Sequence, residues 1–545
     1  MRALLFGLVV LVSACGRPAP AKPLPPMTHE AYAYYLDGKL AAYRSDWPAA
    51  VESLALAAKA APDQPMIAVE LARVQAKAKR EVAAAATLAA ARKKWPRHAQ
   101  VWLMSGDLMS TTKRGEAIKA YRRAIQLAPD DERGYLGLAK LESPSESEAV
   151  LRQLVEKIPD SVEGHYRLAQ RFAKRNDLKT AIKELQAVIE RDPDHIDARL
   201  DLARALRRTG RMTQAIEQTR SAFDRSGQAL DIAEELYWLL CEADDRTAAM
   251  DLLTLLDDDR SDVEALAAIA RLARGLGRLT QARAIAIRIS AVDPDAGTLV
   301  HAELDTASDP QGAVKRLLAI TADSPRFAEA RRLAGDILLA TGDPKGASSV
   351  IAPAREATPK DLDLALVAAY AKADAGDATG ARAVLAQLDN SVGAQLARAR
   401  LEDHLRSPAT ALAILEPLIA KHPDSTTALN LAGYILADRG ERLGDAEKWL
   451  AHARNLAPGD PAILDSWGWL QLKRGKVREA VRALDRASRF APNEPEILVH
   501  LAAARAADKA PKAAWEALDR AVALKPSPSL LARIEAVRAT LPPRQ

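Results

Sequence analysis

Prolines recur along this chain at an almost constant interval, and that interval limits the fold more than any other feature. Each proline follows a segment with the apolar periodicity of an amphipathic helix. Most neighbours are 30–35 residues apart, and gaps of 101 and 64 residues correspond to about three and two intervals. The prolines are Pro62, Pro96, Pro129, Pro159, Pro193, Pro294, Pro325, Pro359, Pro423, Pro458, Pro492 and Pro526. This spacing predicts an all-α array of about fifteen repeated units.

Small residues keep a fixed distance from these prolines. An alanine stands twelve residues before most of the expected proline positions, and a second Ala or Gly stands twelve residues earlier still. Only such residues let two helix axes come within about 8–10 Å, so we predict that the two helices of each unit cross there. The first set is Ala50, Ala84, Ala117, Ala181, Ala215, Ala282, Ala347, Ala381, Ala411, Ala446, Ala480 and Ala514. The second set is Gly38, Ala72, Ala169, Ala203, Ala270, Gly335, Gly468 and Ala502.

Two further sets of positions complete the predicted helical hairpin. Glycines stand where the first helix should end in a left-handed residue, at Gly210, Gly277, Gly342, Gly376 and Gly475. Large apolar residues are expected to fill the space between neighbouring hairpins, at Leu54, Tyr121, Leu185, Leu385, Leu450, Leu484 and Leu518. Pro353 and Pro417 fall inside second helices, so each is predicted to kink its helix or to make it begin late.

The period and these positions together resemble the tetratricopeptide repeat (TPR) family. The clearest unit is Pro461–Pro492, with Trp467-Gly468, Gly475 and Ala480 in register. The resemblance implies a TPR superhelix, an α-solenoid, over residues 31–526. Residues 527–545 are then expected to form a C-terminal capping helix and tail. The units around Pro159 and Pro325 are shorter and fit the pattern less well.

The first fifteen residues have the features of an export signal. Arg2 precedes an apolar run over residues 3–12, which is too short to span a bilayer permanently. The following Val12-Ser13-Ala14-Cys15 resembles a bacterial lipobox. We therefore expect residues 1–14 to be a signal peptide and Cys15 to be lipidated. The alternative is an ordinary secretory signal in which Cys15 is incidental.

The residues after Cys15 fit a membrane anchor. Gly16–Pro26 contains five prolines, which favour an extended tether within residues 15–30. Gly16 directly after the cysteine resembles lipoproteins that are sorted to the outer membrane. We therefore expect a lipid-anchored protein on the periplasmic face of a bacterial outer membrane.

Composition limits the kinds of partner. The 77 basic and 72 acidic residues give a net charge of +5 over 545 residues, with the signs interspersed, which disfavours nucleic acid as a ligand. Two cysteines are too few for disulfide bonds to hold together a chain of 545 residues. Cys241 lies in an apolar stretch, so we interpret it as a small core residue.

Motifs for catalysis and metal binding are missing from the sequence. It contains no HExxH, no GxSxG and no Walker loop. Its nine histidines are scattered, and we interpret them as surface or capping residues. The acidic run Leu256–Arg260 lacks the spacing of a calcium loop and is better explained as a turn. We therefore predict no enzyme activity, no cofactor, no metal and no small-molecule substrate.

Candidate partner-binding residues come from the first helices, which line the concave groove of a TPR superhelix. The inward-facing candidates are Arg204, Arg208, Arg271, Arg274, Tyr434 and Trp469. The arginines could equally be ordinary solvated side chains. The two aromatic residues are expected to be exposed and to anchor peptides, although packing beside Trp467 is an equal alternative for Trp469. Tyr237 and Trp238 are interpreted as core, and no Lys/Asn clamp for a terminal carboxylate is discernible.

A closer resemblance covers Leu429–Pro492. Its Asn-x-x-Gly-Tyr helix, the inserted residue before Asp445-Ala446 and Asp465-Ser466-x-Gly468-Trp469 resemble a proteobacterial lipoprotein family. One member is an adaptor that delivers cell-wall hydrolases to a periplasmic carboxy-terminal processing protease. The resemblance implies a non-catalytic scaffold with a protease and peptidoglycan hydrolases as partners. The alternative is a component of export or assembly machinery, in polysaccharide or exosortase-linked secretion or in secretin or pilus assembly.

Overall fold

The structure is a computed structural model that describes residues 26–257, 262–457 and 459–544. These residues form 31 α-helices joined by short turns, and they contain no β-strand. The helices follow one another as antiparallel pairs, fifteen hairpins and a final single helix. The predicted all-α array of about fifteen hairpins is therefore confirmed. The described residues divide into two compact units, with the boundary between Ala198 and Arg199.

The smaller unit contains five hairpins in which each helix packs against the next. Its helices are α1 (His29–Tyr43), α2 (Trp47–Ala60), α3 (Pro65–Lys77), α4 (Glu81–Lys94), α5 (Ala99–Met109), α6 (Arg114–Leu127), α7 (Glu132–Leu141), α8 (Pro144–Lys157), α9 (Val162–Lys174) and α10 (Leu178–Arg191). The helix α1 begins two residues before the predicted start of the array at residue 31.

The larger unit begins in the first turn of α11 and continues the same alternation. Its helices are α11 (Ile196–Arg208), α12 (Met212–Arg225), α13 (Leu230–Glu242), α14 (Arg246–Asp257), α15 (Val263–Gly275), α16 (Leu279–Val292), α17 (Pro294–Asp305), α18 (Pro310–Leu318), α19 (Phe327–Ala340), α20 (Pro344–Ala357), α21 (Leu362–Asp374), α22 (Ala378–Ala386), α23 (Val392–His404), α24 (Pro408–Lys421), α25 (Thr426–Arg439), α26 (Leu443–Leu456), α27 (Pro461–Lys473), α28 (Val477–Phe490), α29 (Pro495–Ala507), α30 (Pro511–Ala523) and α31 (Pro528–Arg538). Besides its neighbours in the chain, α13 also packs against the distant α28.

The turn between the two helices of a hairpin requires a left-handed residue. All five predicted glycines have a positive φ, from 74° to 85°. Several hairpins hold a side-chain residue in this conformation instead, including Ser45, Lys79, Asn176, Arg406 and Lys509. An aspartate often follows and caps the second helix, as Asp343 accepts the backbone N–H of Gly346 at 2.8 Å. The turn and the cap together explain where each second helix begins.

Packing inside the hairpins depends on small residues. All twelve alanines of the first set have 0% of their surface exposed. A Cβ atom added to Gly468 would lie 2.6 Å from Cγ of Leu484, so the two helices meet at the glycine backbone. The predicted large residues Leu54, Leu185, Leu385, Leu450, Leu484, Leu518 and Tyr121 are buried between neighbouring helices.

Some local expectations need correction or fall outside the described residues. Of the two outcomes predicted for Pro353 and Pro417, a late start does not occur, because their helices begin at Pro344 and Pro408. The hairpin before Pro325 forms, although α18 has only nine residues. The predicted signal peptide, Cys15, most of the tether and residues 258–260 of the acidic run lie outside the described residues.

Candidate functional site

Polar and aromatic side chains from first helices of the larger unit form one surface, and its members on α25, α27, α29 and α31 contact one another. We call it the aromatic surface and define it by Tyr370 of α21, Tyr434 of α25, Trp469 of α27, His500 of α29 and Arg533 of α31. The hairpin repeat brings these residues together because each first helix presents the same face beside the preceding one. The structure therefore places the predicted Tyr434 and Trp469 in a single surface.

Ring contacts join three members of this surface, Tyr434, Trp469 and His500. The indole of Trp469 stacks on the imidazole of His500, with ring centroids 4.2 Å apart and planes inclined by 21°. The ring centroid of Tyr434 lies 6.2 Å from the centroid of the same imidazole. Lys473 places its ammonium 4.8 Å from the centroid of the Trp469 ring. Such aromatic and cation–π contacts hold the rings in fixed orientations.

The imidazole of His500 lies at the centre of a buried polar network. Its Nδ1 is 2.9 Å from both carboxylate oxygens of Asp465, and Nη2 of Arg533 donates to its Nε2 at 2.7 Å. Because a guanidinium can only donate, Nε2 accepts and Nδ1 carries the proton that Asp465 accepts. Arg533 also donates to Glu496 at 2.6 Å. The network fixes α27, α29 and α31 relative to one another.

The predicted aromatic residues are not freely exposed, contrary to expectation. Tyr434 and Trp469 are both half-buried. The indole N–H of Trp469 donates to Asp438 at 3.0 Å, and the hydroxyl of Tyr434 donates to Glu496 at 3.3 Å. Each therefore has its polar atom bonded within the protein and part of its ring accessible. Burial also raises the pKa of the Tyr434 hydroxyl and raises that of Tyr370 to about 12.

Two carboxylates along the first helices have altered acidity. Burial raises the pKa of Asp403 on α23, and the negative charges of Asp438 and Glu496 raise it further against the opposing charge of Arg406. Burial also raises the pKa of Asp336 on α19. A cationic group of a ligand would stabilise the charged form of these carboxylates. The surface thus offers rings and partly desolvated acids side by side.

The four predicted arginines lie outside the aromatic surface. Arg204 is exposed and forms ion pairs with Asp201 at 3.1 Å and with Glu235 at 3.0 Å. Arg208 and Arg271 are exposed, on α11 and α15. Arg274 is half-buried and donates to the backbone oxygen of Glu303 at 3.2 Å. The solvated interpretation therefore fits Arg204 and Arg271 better than Arg274.

The structure supports a core position for Cys241. Its side chain is half-buried beside Trp238 and Phe490. Burial raises the pKa of the thiol to about 11, so the group is protonated at neutral pH. Tyr237 is buried as predicted, whereas the neighbouring Trp238 is only half-buried.

Sequence reasoning missed the central residues of the surface. The interpretation of the histidines as surface or capping residues is wrong for His500, which is 0% exposed. Its signal was a histidine inside the apolar run of residues 497–501. Arg533 gave no such signal, because it lies on the last helix and joins the network only through tertiary packing. His195 does act as a cap, accepting the backbone N–H of Ala198 at 3.2 Å.

The described residues offer neither a metal site nor a membrane-spanning helix. In the ranges that the structure describes, no group of three or more His, Cys, Asp or Glu side chains is arranged to hold a metal ion. No helix in the same ranges has both the length and the apolar character needed to cross a bilayer.

Comparison with known sequences finds a likeness to one repeat family. The family model described as tetratricopeptide repeat matches residues 166–229, 303–360, 396–461 and 466–528. A TPR repeat-containing protein of Pseudomonas aeruginosa is 45% identical over 84 residues. That alignment covers 15% of this chain, and the chain spans only 14% of the length of that relative. These matches, together with the helical hairpins of the described residues, make the chain similar to tetratricopeptide-repeat proteins.

Solved structures give weaker likenesses. The Naa15/Naa10 complex bound to HypK has a chain with a TM-score of 0.34 and 14% identity, covering 94% of this chain and 100% of that one. A chain of the Cut9–Hcn1 assembly has a TM-score of 0.32 and 14% identity, and the match covers 94% of this chain and 97% of that one. YrrB, a TPR protein with an unusual peptide-binding site, has a TM-score of 0.28 and 17% identity. The match covers 34% of this chain and 98% of that one. Scores this low support no functional conclusion.

Proposed function

We propose that this tetratricopeptide-repeat protein is a non-catalytic scaffold that binds a partner protein on the aromatic surface. The observation that carries the proposal is the alignment of Tyr434 and Trp469 on successive first helices, each with an accessible ring and a bonded polar atom. Rings held in this way lose little conformational entropy on binding and are common anchors of protein interfaces.

The chemistry of the surface favours a polypeptide as ligand. Half-buried rings accept apolar side chains, while Asp403 and Lys473 offer both signs of charge to polar groups nearby. A segment bound along several hairpins would make many small contacts. We expect affinity to come from Tyr434 and Trp469 together, with the surrounding polar groups determining the orientation of the segment.

The finer proposal is an adaptor for proteolysis in the periplasm. We propose that the protein assembles a carboxy-terminal processing protease with peptidoglycan hydrolases that are its substrates. The support is the resemblance of Leu429–Pro492 to the adaptor family, a segment that contains both Tyr434 and Trp469. The TPR repeats support the coarser role of protein binding, whichever partner is bound.

Partner binding is testable with single and double substitutions. We expect Tyr434→Ala and Trp469→Ala each to weaken capture of partners from solubilised envelope about fivefold or more, and the double variant to weaken it further. Tyr43→Ala, which removes an 88% exposed ring of the smaller unit, is the matched control. Circular dichroism should show unchanged helicity in all four proteins.

The same capture experiment tests the partner's identity by mass spectrometry. Recovery of a processing protease or a peptidoglycan hydrolase, reduced in the double variant, supports the adaptor role. Recovery of secretin or polysaccharide-export components instead would contradict it. Equal capture by the double variant and the wild type would remove the aromatic surface as the binding site.

We also propose that Cys15 anchors the protein by lipid to the periplasmic face of the outer membrane. The support is the lipobox-like sequence before Cys15 and the Pro-rich segment after it. Wild-type protein should incorporate labelled palmitate and fractionate with outer membranes. Cys15→Ser should do neither, and Cys241→Ser should behave like the wild type. Palmitate incorporation by Cys15→Ser would contradict the proposal.

A further inference from the structure

A separate site of the larger unit lies where α13 packs against α28. A cavity of about 490 Å³ opens there, with α11 and α13 on one side and α26, α27 and α28 on the other. The helices of its two sides are far apart in the chain, so the cavity exists only when the two sides are in contact. Neither Tyr434 nor Trp469 lines it.

Arginine dominates the lining of this cavity. Five arginines face two glutamates, which gives the lining a net charge of five minus two, or +3. The arginines are Arg207, Arg208, Arg454, Arg482 and Arg486, and the glutamates are Glu242 and Glu479. We call this site the arginine cavity. The whole chain has a net charge of only +5, so this is a strong local concentration of positive charge.

The buried carboxylate of Glu242 lies close to two of the arginines. Oε1 of Glu242 lies 2.8 Å from Nη2 of Arg486, and Oε2 lies 3.7 Å from Nη1 of Arg207. The side chains of Arg207 and Glu242 are only 13% and 11% exposed. Within the described part of the chain, Nε of Arg207 and Nε of Arg486 are buried and donate no hydrogen bond. Two guanidinium groups therefore have N–H donors that the protein leaves unused.

A third guanidinium adds to the crowding. Arg454 stacks 4.1 Å from the centroid of the Trp467 ring, which fixes its plane. Burial lowers the pKa of Arg454, and the charge of Arg486 lowers it further. Burial also lowers the pKa of Arg207. Like charges held together out of water are stabilised by an anion between them.

We propose that the arginine cavity binds a small free molecule that carries two or more phosphate groups. Guanidinium groups bind phosphate oxygens through paired N–H donors, and a phosphate can accept from several directions at once. Arg207 approaches from one side of the cavity and Arg454 and Arg486 from the other, which suits a compact ligand with oxygens on all sides. Exposed Arg208 and Arg482 at the opening would attract it. This inference does not depend on the proposed scaffold role.

Calorimetric titration of the full chain with sodium tripolyphosphate tests the proposal. We expect saturable binding that is not reproduced by sodium chloride at the same ionic strength, and that weakens as salt is added. Hydrogen exchange in α13 and α28 should slow when the ligand is bound, since it contacts both sides. Vesicles containing phosphatidic acid distinguish a lipid phosphate from a free one. Binding to the vesicles without binding to tripolyphosphate would overturn the proposal.

Substitutions locate the site. We expect Arg207→Gln and Arg482→Gln each to weaken tripolyphosphate binding about tenfold. Arg482 is exposed, so its variant remains informative if Arg207→Gln fails to fold. Arg478→Gln is the matched control, because Arg478 is exposed on the same helix one turn away and does not line the cavity. Equal affinities for the wild type, Arg482→Gln and Arg478→Gln would show non-specific binding and overturn the assignment.

Discussion

At the scale of single residues, this fold depends on the size and conformation of a few positions in each hairpin. Alanine and glycine at the crossings let the helices touch along their backbones, and a left-handed residue ends the first helix. Where the sequence lacks glycine, residues such as Lys79 and Lys509 adopt φ near 59°. Such residues have a higher backbone conformational energy than glycine at this φ. The repeat tolerates this energy where packing of the two helices compensates for it.

The crossing at Gly468 should tolerate no added methyl group. We expect Gly468→Ala to lower the free energy of unfolding by about 1–3 kcal/mol, because the new Cβ would overlap Leu484. Gly444→Ala is the control: Gly444 lies in the helix α26, and an added Cβ there would have no neighbour within 4 Å. Urea unfolding followed by circular dichroism measures both. An equal effect in the two variants would show that the crossing is not tightly packed.

Burial of Asp403 should make stability depend on pH. Its folded-state pKa is raised, so the charged carboxylate destabilises the fold once the pH exceeds the unfolded pKa of about 4. We expect Asp403→Asn to have a higher melting temperature than the wild type at pH 7, with the difference shrinking as the pH falls towards 4. The exposed Asp508→Asn is the control. A lower melting temperature for Asp403→Asn at pH 7 would contradict this account.

At the scale of elements, α31 both covers the last hairpin and completes the aromatic surface. Its Ile534 is fully buried in a cluster with Leu501 and Leu518, and its Arg533 bonds His500 and Glu496. One helix therefore excludes water from the apolar end of the array and supplies the donor that fixes the His500 ring. The stability of the last hairpins and the shape of the surface are coupled.

A chain truncated after residue 526 lacks α31. It should therefore lose both the cover over the last hairpin and the donor that fixes the His500 ring. We expect local destabilisation of α29 and α30 by about 2–3 kcal/mol, because the contacts of Ile534 and its neighbours are lost. Hydrogen exchange should become faster in α29 and α30 and remain unchanged in α21. Ending the chain at residue 540 keeps α31 and serves as the control. Unchanged exchange in α29 would indicate that the cap is dispensable.

At the scale of the whole molecule, the distinctive feature is the contact between α13 and α28 in the larger unit. The ring of Trp238 meets Phe490 edge to face at 5.9 Å, and ion pairs join Arg486 to Glu242 and Arg489 to Asp244. The Arg489–Asp244 pair is well exposed to solvent and is expected to contribute little. The aromatic contact and the ion pair of the largely buried Glu242 with Arg486 are therefore expected to matter more than the Arg489–Asp244 pair.

Removing the Trp238 ring should loosen this contact without unfolding the array. We expect Trp238→Ala to destabilise the contact by about 2 kcal/mol, which would be seen as faster hydrogen exchange in α13 and α28. Trp515→Ala, which removes a half-buried ring of α30, should leave both helices unchanged. Slower or unaltered exchange in α13 and α28 of Trp238→Ala would contradict a stabilising role for the ring.

Sequence alone determined the hairpin, because every rule that forms it acts within about 34 residues: the crossing alanines, the turn glycines and the terminal prolines. It also placed Tyr434 and Trp469 on equivalent faces. Only the tertiary structure decided that His500 and Arg533 join them, and that α13 meets α28 to form the arginine cavity. The contact of α13 with α28 depends on the small rotation between neighbouring hairpins, added over many repeats, whereas His500 and Arg533 meet across the single interface of α29 and α31. Each rotation is determined by side-chain packing at one interface, which a repeat pattern does not encode.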